Sequence, residues 1–364
     1  MSHGGRKQPS IDLRSDMACD PGMVVFLSSA FACSSALFTA VELGVFDRLE
    51  HEPDTLEGLS SELGLPVHAL ERLMVLLHSL GLVERDDDAH YRNAAVASQL
   101  LTQASPRSLV PFLLHQQRHM YPLFEHLSEA VRTGGPQVQR LAFASALDAD
   151  DRGSYTSLAR SPADNRLFLA AMNAVAVDVG RVIAERVDLS TIRTLLDFGG
   201  GGGQIAIELA EAAPHLDITI VDAPEVCAFA DEVIAGKGLA SRVHTCAGDF
   251  LGELPASLVP ADAVLLGGVL ADWGPEQRRV LLANARTRLV PGGLLLVSET
   301  LLDPTNSGPV LPALLSLAML VATRGKNFTP QEVLAMLDEA GLVGGRVISN
   351  RELGVRDLVL ANRP

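Results

Sequence analysis

The sequence predicts a doubly wound α/β domain in the C-terminal half of the chain, preceded by an N-terminal all-α domain of winged-helix type. Three observations carry this reading. From residue 193 onward, short apolar runs alternate with helical patterns, as parallel strands joined by crossover helices require. The run Thr194-Leu195-Leu196-Asp197-Phe198 leads into five glycines, Gly199 to Gly203, and then into an apolar-periodic stretch that Pro214 closes. Between residues 55 and 93, two short helices, a glycine turn and a hairpin follow one another.

A chain of 364 residues has room for two domains, and 48% hydrophobic residues suffice for a sizeable core. The expected divisions are a flexible N-terminus (1–20), a winged-helix-like dimerisation domain (21–105), a helical linker and substrate roof (106–190) and a ligand-binding domain (191–364). The first twenty residues are polar with mixed charge, unlike a signal peptide. Residues 23–46 are apolar but interrupted by Ser28, Ser29, Ser34, Ser35, Thr39 and Glu42. This stretch is expected to fall short of a membrane span and to pack against another subunit. Gly44 separates two helical segments. Residues 55–65 give a short helix and a glycine turn, Pro66 opens the next helix, and Gly81 stops it. Its apolar positions Leu70, Leu73, Met74, Leu77 and Leu80 share one face. Residues 83–93 read as a hairpin with Asp86-Asp87-Asp88 at its tip.

Helix–turn–helix–hairpin invites a DNA-binding reading. The second helix carries Glu71 and Arg72 with little other charge, the wing tip is acidic, and the formal net charge is −15. All three oppose contact with phosphate, so neither nucleic acid nor an anionic membrane is an expected partner. A scaffold that buries apolar surface and helps the chain dimerise fits better. Cys19, Cys33, Cys227 and Cys246 show no ligand spacing, which points to buried thiols in a reducing cytoplasm.

Residues 100–187 are mostly helical, broken at Pro106, Pro111, Pro122, Gly134-Gly135-Pro136 and 148–153. Such helices can roof an active site. His115 and His119 are four apart, and His126 follows two turns later. An i, i+4 His pair can hold a metal, but no acidic residue completes an HExxH spacing, so no metal is expected. A partly exposed or substrate-facing role is the remaining reading. Met172-Asn173 can face a ligand, although Met in such a helix is commonly core.

Strands are expected at 194–199, 217–222, 242–246, 262–267 and 294–299, with Pro291-Gly292-Gly293 as the turn before the fifth and two more strands at 343–349 and 355–361. In such a sheet the ligand sits at the carboxyl ends of the first strands. Gly199 to Gly203, Asp222, Asp249-Phe250 and Gly267-Gly268 collect there. Glycines let the backbone turn tightly and a ligand approach closely, and the helix behind them offers free N–H groups. Asp222, about twenty residues on, can take both hydroxyls of a ribose. The glycines lack the G-x-G-x-x-G spacing of dinucleotide sites, and Asp197 would repel a pyrophosphate. A carboxylate there suits a cationic sulfonium amino acid, which favours S-adenosyl-L-methionine over a dinucleotide. A glycine-rich turn with no ligand is the bland alternative.

With these motifs in order, the C-terminal half resembles a class I S-adenosylmethionine-dependent methyltransferase of Rossmann-like fold. Nearly the whole chain resembles the small-molecule O-methyltransferase family that includes plant caffeate and bacterial antibiotic-tailoring enzymes. The matching stretches are 40–47, 127–134, 195–203, 221–226, Gly248-Asp249-Phe250, Asp272-Trp273, Pro291-Gly292-Gly293 and 325–329. The resemblance implies a homodimer through the N-terminal domain and a small aromatic or polyketide-like substrate of secondary metabolism. It implies Gly199 and Gly201 at the methionine end of the cofactor, Asp222 at the ribose, and Asp249 with Phe250 bordering the adenine. Asp197, Gly267 and Trp273 complete the implied cofactor set, although the Lys often found near position 267 is absent.

The departures bear on mechanism. O-methylating members carry a His directly before the Asp-Trp pair to remove the hydroxyl proton, oriented by two carboxylates. Here that position is Ala271; Glu299 keeps the first carboxylate, and Asn327 replaces the second. An alanine accepts no proton, and a phenol is protonated at neutral pH. The expectation is therefore C-methylation, with O- or N-methylation through another base next, and methyl-free catalysis (hydroxylation, decarboxylation or rearrangement) as a different class. Glu299, Asp272, His119 and His115 are the catalytic candidates. Met172, Asn173, Tyr121 and Asn327 are the substrate-facing ones.

Overall fold

The computed structural model describes residues 21–140 and 161–364. The expected tail 1–20, with Cys19, and the break expected at 148–153 lie outside the described residues. The chain forms two compact units that divide between Pro122 and Leu123. The stretch expected as a single roof is thus shared between them.

In the N-terminal unit, helix Pro21–Glu42 is followed by Gly44 in the left-handed region (φ 73°) and helix Val45–His51. Thr55 caps helix Leu56–Leu63 by accepting the N–H of Gly58, and helix Val67–Ser79 follows Pro66. Strands β1 (Val83–Arg85) and β2 (Tyr91–Asn93) pair antiparallel as the expected wing. Phe46, Leu59, Leu70, Met74 and Leu77 are fully enclosed, so the face expected to be apolar is the one that packs. Leu80 departs from this: it caps the helix and is 38% exposed. The acidic tip has a local purpose, because Asp86 accepts the N–H groups of Asp88 and His90 and so forms the turn.

Helix Pro21–Glu42 corrects one expectation. It runs unbroken for 22 residues and its most apolar 18-residue stretch has a mean hydropathy of 1.9, so by length and composition alone it could cross a membrane. Its hydroxyl residues do not interrupt it, since a serine can return its hydrogen bond to the preceding turn, as Ser28 does to the Val25 carbonyl at 2.6 Å. Val24, Val25, Phe26, Leu27 and Phe31 are exposed along it.

The C-terminal unit is built on a seven-stranded sheet. Its strands are β3 (Thr194–Phe198), β4 (Asp217–Asp222), β5 (Val243–Ala247), β6 (Ala261–Gly267), β7 (Leu289–Glu299), β8 (Val343–Ile348) and β9 (Asp357–Asn362). They lie in the order β5-β4-β3-β6-β7-β9-β8. The first five are parallel, and β9 and β8 join antiparallel. Pro291-Gly292-Gly293 lies inside β7 rather than before it. The pairing of β7 with β6 slips register there, and Gly292 (φ 79°) absorbs the bulge. Alternate side chains feed two cores, Leu195 on one face of the sheet and Leu196 and Phe198 on the other. Strand order reverses at β3, which lies between β4 and β6, so the crevice opens above the carboxyl end of β3.

Candidate active site

β3 ends in two buried residues. Phe198 is fully enclosed in apolar packing, whereas Asp197 is 1% exposed and neither of its oxygens has a hydrogen-bond partner. Burial, reinforced by the nearby Asp222 carboxylate, pushes Asp197 up to about 7, while Arg356 pulls the other way.

The glycine loop is shaped by what surrounds it. A side chain on Gly199 (φ 70°) would meet Val269 at 2.8 Å, and one on Gly200 would meet the Asp197 carboxylate at 2.6 Å. One on Gly202 would overlap the amide of Asn173, whose Nδ2 donates to the Gly202 carbonyl at 3.2 Å. Gly201 (φ 57°) has open space where its Cβ would stand, and its N–H donates to Asp222 Oδ2 at 3.0 Å. Gly203 (φ 84°) starts helix Gln204–Ala212. Asp222 ends β4, and its Oδ1 accepts the N–H of Ala223 at 2.8 Å. Burial raises its pKa against these two donors. Asn173 thus anchors the loop rather than standing free for a substrate, and Met172 beside it is half-buried.

Around the rim, exposed Asp249 closes a turn by accepting the Leu251 N–H, and the Phe250 ring meets Trp273 edge-on at 6.1 Å. The missing Cβ of Gly267 is accounted for by Ile205 of the glycine-loop helix, 2.7 Å away. That of Gly268 would overlap the guanidinium of Arg356.

β7 ends at Glu299, which is 3% exposed. Its Oε1 accepts the N–H groups of Leu270 at 2.8 Å and Ala271 at 3.2 Å. Burial raises it to about 7, against Arg356 and these two donors. Asp272 follows Ala271, half-buried, at the end of the short turn Leu270–Asp272. The segment after helix Val310–Ala322 closes on the same backbone, since a Cβ on Gly325 would overlap the Ala271 carbonyl oxygen. Asn327 is buried next along, and its Nδ2 donates to the Thr300 carbonyl at 2.7 Å. An amide fits where the resemblance implied a carboxylate. A carboxylate could not donate to the Thr300 carbonyl as the amide does.

His115, His119 and Tyr121 belong to the N-terminal unit. His119 falls in the π-helical turn Gln116–Met120, and its ring lies 5.0 Å from that of His115. Both are buried, and burial next to His119 lowers His115 to about 4, so it is neutral at physiological pH. The Tyr121 hydroxyl accepts from Ser35 at 3.1 Å, and its ring meets Phe38 edge-on. Sequence reasoning passed over Arg356, which lies between β8 and β9 with no motif around it. It also passed over Glu208, which accepts the N–H groups of Asp178 and Gly180 at 2.8 Å and fastens helix Val179–Arg186 to the glycine-loop helix.

Comparison with known proteins decides the family. The O-methyltransferase domain model matches residues 124–343, and the O-methyltransferase dimerisation domain model matches residues 25–103. The chain belongs to the O-methyltransferase family. It is 34% identical over 340 residues to 3-hydroxy-5-methyl-1-naphthoate 3-O-methyltransferase of Streptomyces sahachiroi, covering 93% of this chain and 94% of that one. It is 32% identical over 327 residues to the tetracenomycin polyketide synthesis 8-O-methyltransferase of Streptomyces glaucescens, covering 90% and 92%. The crystal structure of human N-acetylserotonin methyltransferase in complex with S-adenosylmethionine superposes with a TM-score of 0.85 at 31% identity, covering 95% of this chain and 99% of that one. The protein is therefore an S-adenosylmethionine-dependent methyltransferase with a dimerisation domain.

The crevice suits that cofactor. A buried carboxylate without a donor, Asp197, calls for positive charge. The open face of Gly201 admits a ligand against bare backbone, and Asp222 keeps lone pairs beyond those its two N–H donors use.

Proposed function

We propose that this family member transfers the methyl group of S-adenosylmethionine to a hydroxyl oxygen of a small aromatic secondary metabolite, with Glu299 as the proton acceptor. The observation that carries this is the contact of Glu299 Oε1 with the backbone of Ala271, the position the resemblance gives to an imidazole base. With that ring absent, a carboxyl remains beside it whose burial brings its pKa to about 7, near the pH at which a general base works best. The bacterial relatives, named for the 3-hydroxyl of a naphthoate and the 8-oxygen of a polyketide, support an oxygen acceptor on a fused aromatic system. The preference for carbon rested on Ala271 standing where the resemblance implies a His, and the O-methylating relatives give it no support.

We infer the roles of the other residues from the resemblance, with their positions around the crevice in support. Asp222 holds the ribose hydroxyls, the backbone of Gly199 and Gly201 lines the methionine end, and Phe250 with Trp273 borders the adenine. Asp197 answers the cofactor's positive charge. When bound, the cofactor supplies a methyl group on a positively charged sulfur. The protein's part is to align the acceptor in line with it and to remove one proton. Asn327, through Thr300, keeps the end of β7 and with it Glu299 in place.

The acceptor atom is tested with ¹³C-methyl S-adenosylmethionine and a panel of hydroxynaphthoates and polycyclic phenols. The label is expected on oxygen. Label on carbon overturns the oxygen assignment, and substrate converted without label overturns methyl transfer altogether.

The exposed apolar side of helix Pro21–Glu42 lies, from Val25 onward, within the segment matched by the dimerisation model, and we infer that a second copy covers it. Light scattering is expected to give twice the chain mass of 38.6 kDa, and Phe31→Glu with Val24→Glu to give a monomer. A wild-type protein that elutes as a monomer at micromolar concentration removes this assignment.

A further inference from the structure

We propose that Asn173 is a positioning residue for cofactor binding, acting through the carbonyl of Gly202, and that residue 202 is glycine so that two helices can close on the loop there. The proposal rests on the crevice being the cofactor site, not on which atom accepts the methyl group.

The geometry starts from helix Pro162–Val175. Ser161 caps it by accepting the Asp164 N–H at 3.0 Å, and Pro162 stands in its first turn. Arg166 and Asn173 are seven residues apart, so two turns of helix bring them to one side. Helix Pro224–Gly236 follows β4, and its Phe229 and Glu232, three apart, share a side as well. These two sides meet. Arg166 donates to both carboxylate oxygens of Glu232, at 3.2 and 2.8 Å, and its guanidinium lies 5.2 Å from the centre of the Phe229 ring. Asn173 and Phe229 then converge on the glycine loop. A Cβ on Gly202 would stand 2.4 Å from Asn173 Nδ2 and 2.7 Å from Cε1 of Phe229. Gly199, Gly201 and Gly203 have positive φ and Gly202 does not, so its backbone makes no demand for glycine. What excludes a side chain there is the space the two helices take.

This contact completes the hold on the loop. The Gly201 N–H donates to Asp222 Oδ2 at 3.0 Å, the Gly203 N–H to the Gly200 carbonyl at 3.0 Å, and Asn173 Nδ2 to the Gly202 carbonyl at 3.2 Å. That carbonyl has no other hydrogen-bond partner among the described residues. Consecutive glycines lose more conformational freedom on ordering than any other residues. A loop fixed before the ligand arrives no longer loses that freedom on binding. Asn173 supplies this ordering from a helix outside the strand–loop–helix unit itself.

The test compares wild type with Asn173→Ala, Asn173→Leu, Gly202→Ala and Asp222→Ala, without methyl acceptor so that no turnover occurs. Calorimetry measures affinity for S-adenosylmethionine, and a cooperative melt shows that each variant is folded. Leucine keeps the branched shape of asparagine but donates nothing, so it separates the hydrogen bond from packing. Asn173→Leu and Asn173→Ala are both expected to weaken binding by about three- to tenfold, the loss of one hydrogen bond. Gly202→Ala should cost about tenfold or more in wild type, and less in the Asn173→Ala, Phe229→Leu background, where room is restored. Wild-type affinity in Asn173→Leu, or an equal Gly202→Ala penalty in both backgrounds, overturns the proposal. Should Gly202→Ala fail to fold, the Asn173→Leu result decides alone. Full affinity in Asp222→Ala would overturn the crevice reading and this proposal with it. Weak binding by Asp222→Ala beside an unaffected Asn173→Leu overturns this proposal only.

Discussion

Glu299→Gln is expected to lower kcat by about 10²- to 10⁴-fold, the usual contribution of a general base, while cofactor affinity changes far less. The substitution keeps shape and packing. The amide oxygen can still accept the N–H groups of Leu270 and Ala271 that now bind Oε1, so the turn before Trp273 stays in place. What is lost is the capacity to take a proton. Wild-type kcat/KM should accordingly rise with pH as Glu299 ionises around its raised value of about 7 and level off above it. Steady-state rates from pH 5.5 to 9 check both statements. A Glu299→Gln enzyme that keeps more than about a tenth of wild-type kcat would remove Glu299 from the chemistry, whatever the acceptor atom.

The same two carboxyls make the ligand-free protein sensitive to pH, and the sign is fixed by burial. Asp197 and Glu299 have folded-state values near 7, above the ordinary values of about 3.9 and 4.3 of an unfolded chain. Between those limits the folded state holds more protons than the unfolded one. Their contribution is therefore fully present below about pH 4 and is lost as pH rises toward 7. Bound S-adenosylmethionine brings positive charge to the ionised pair, so it should raise the melting temperature more at pH 8 than at pH 6.

Asp222→Ala is expected to weaken S-adenosylmethionine binding by about 100-fold or more, with kcat at saturating cofactor nearly restored. Two hydrogen bonds to a charged acceptor are worth about 1.5–3 kcal/mol each, and about 1.4 kcal/mol is a factor of ten. Asp222 accepts the N–H groups of Gly201 and Ala223, and its place at the end of β4 follows from the strand pairing with β3. Calorimetry measures the affinity and saturation kinetics the rate. A fall in kcat that persists at saturation would show that Asp222 shapes the reacting geometry instead of holding the ribose. The two substitutions should thus separate cleanly, one acting on rate and the other on affinity.

How much was legible in the chain depends on whether a signal is local. Periodicity, the glycine run and Pro214 placed β3, its loop and the following helix, because each is a statement about neighbours along the backbone. The bulge at Gly292 was read as a turn, since a Pro-Gly-Gly triplet looks alike whether the strand stops or merely slips register. Asn173 is expected from the sequence to face a ligand, whereas its engagement with Gly202 depends on a helix some thirty residues away packing over that loop.

By itself, the sequence determined the order of elements, the two-part organisation, the carboxylates Asp197 and Asp222 flanking a bare-backbone loop, and hence the class of cofactor. Tertiary structure alone decided which groups meet: that the Arg356 guanidinium from the last hairpin crosses over Gly268, and that Glu299 accepts the backbone N–H groups of Leu270 and Ala271. The reason is physical. Local propensity and hydrophobic period act over a few residues, whereas the proton affinity of a carboxyl depends on how deeply the fold buries it and on which distant charges the strand order brings alongside.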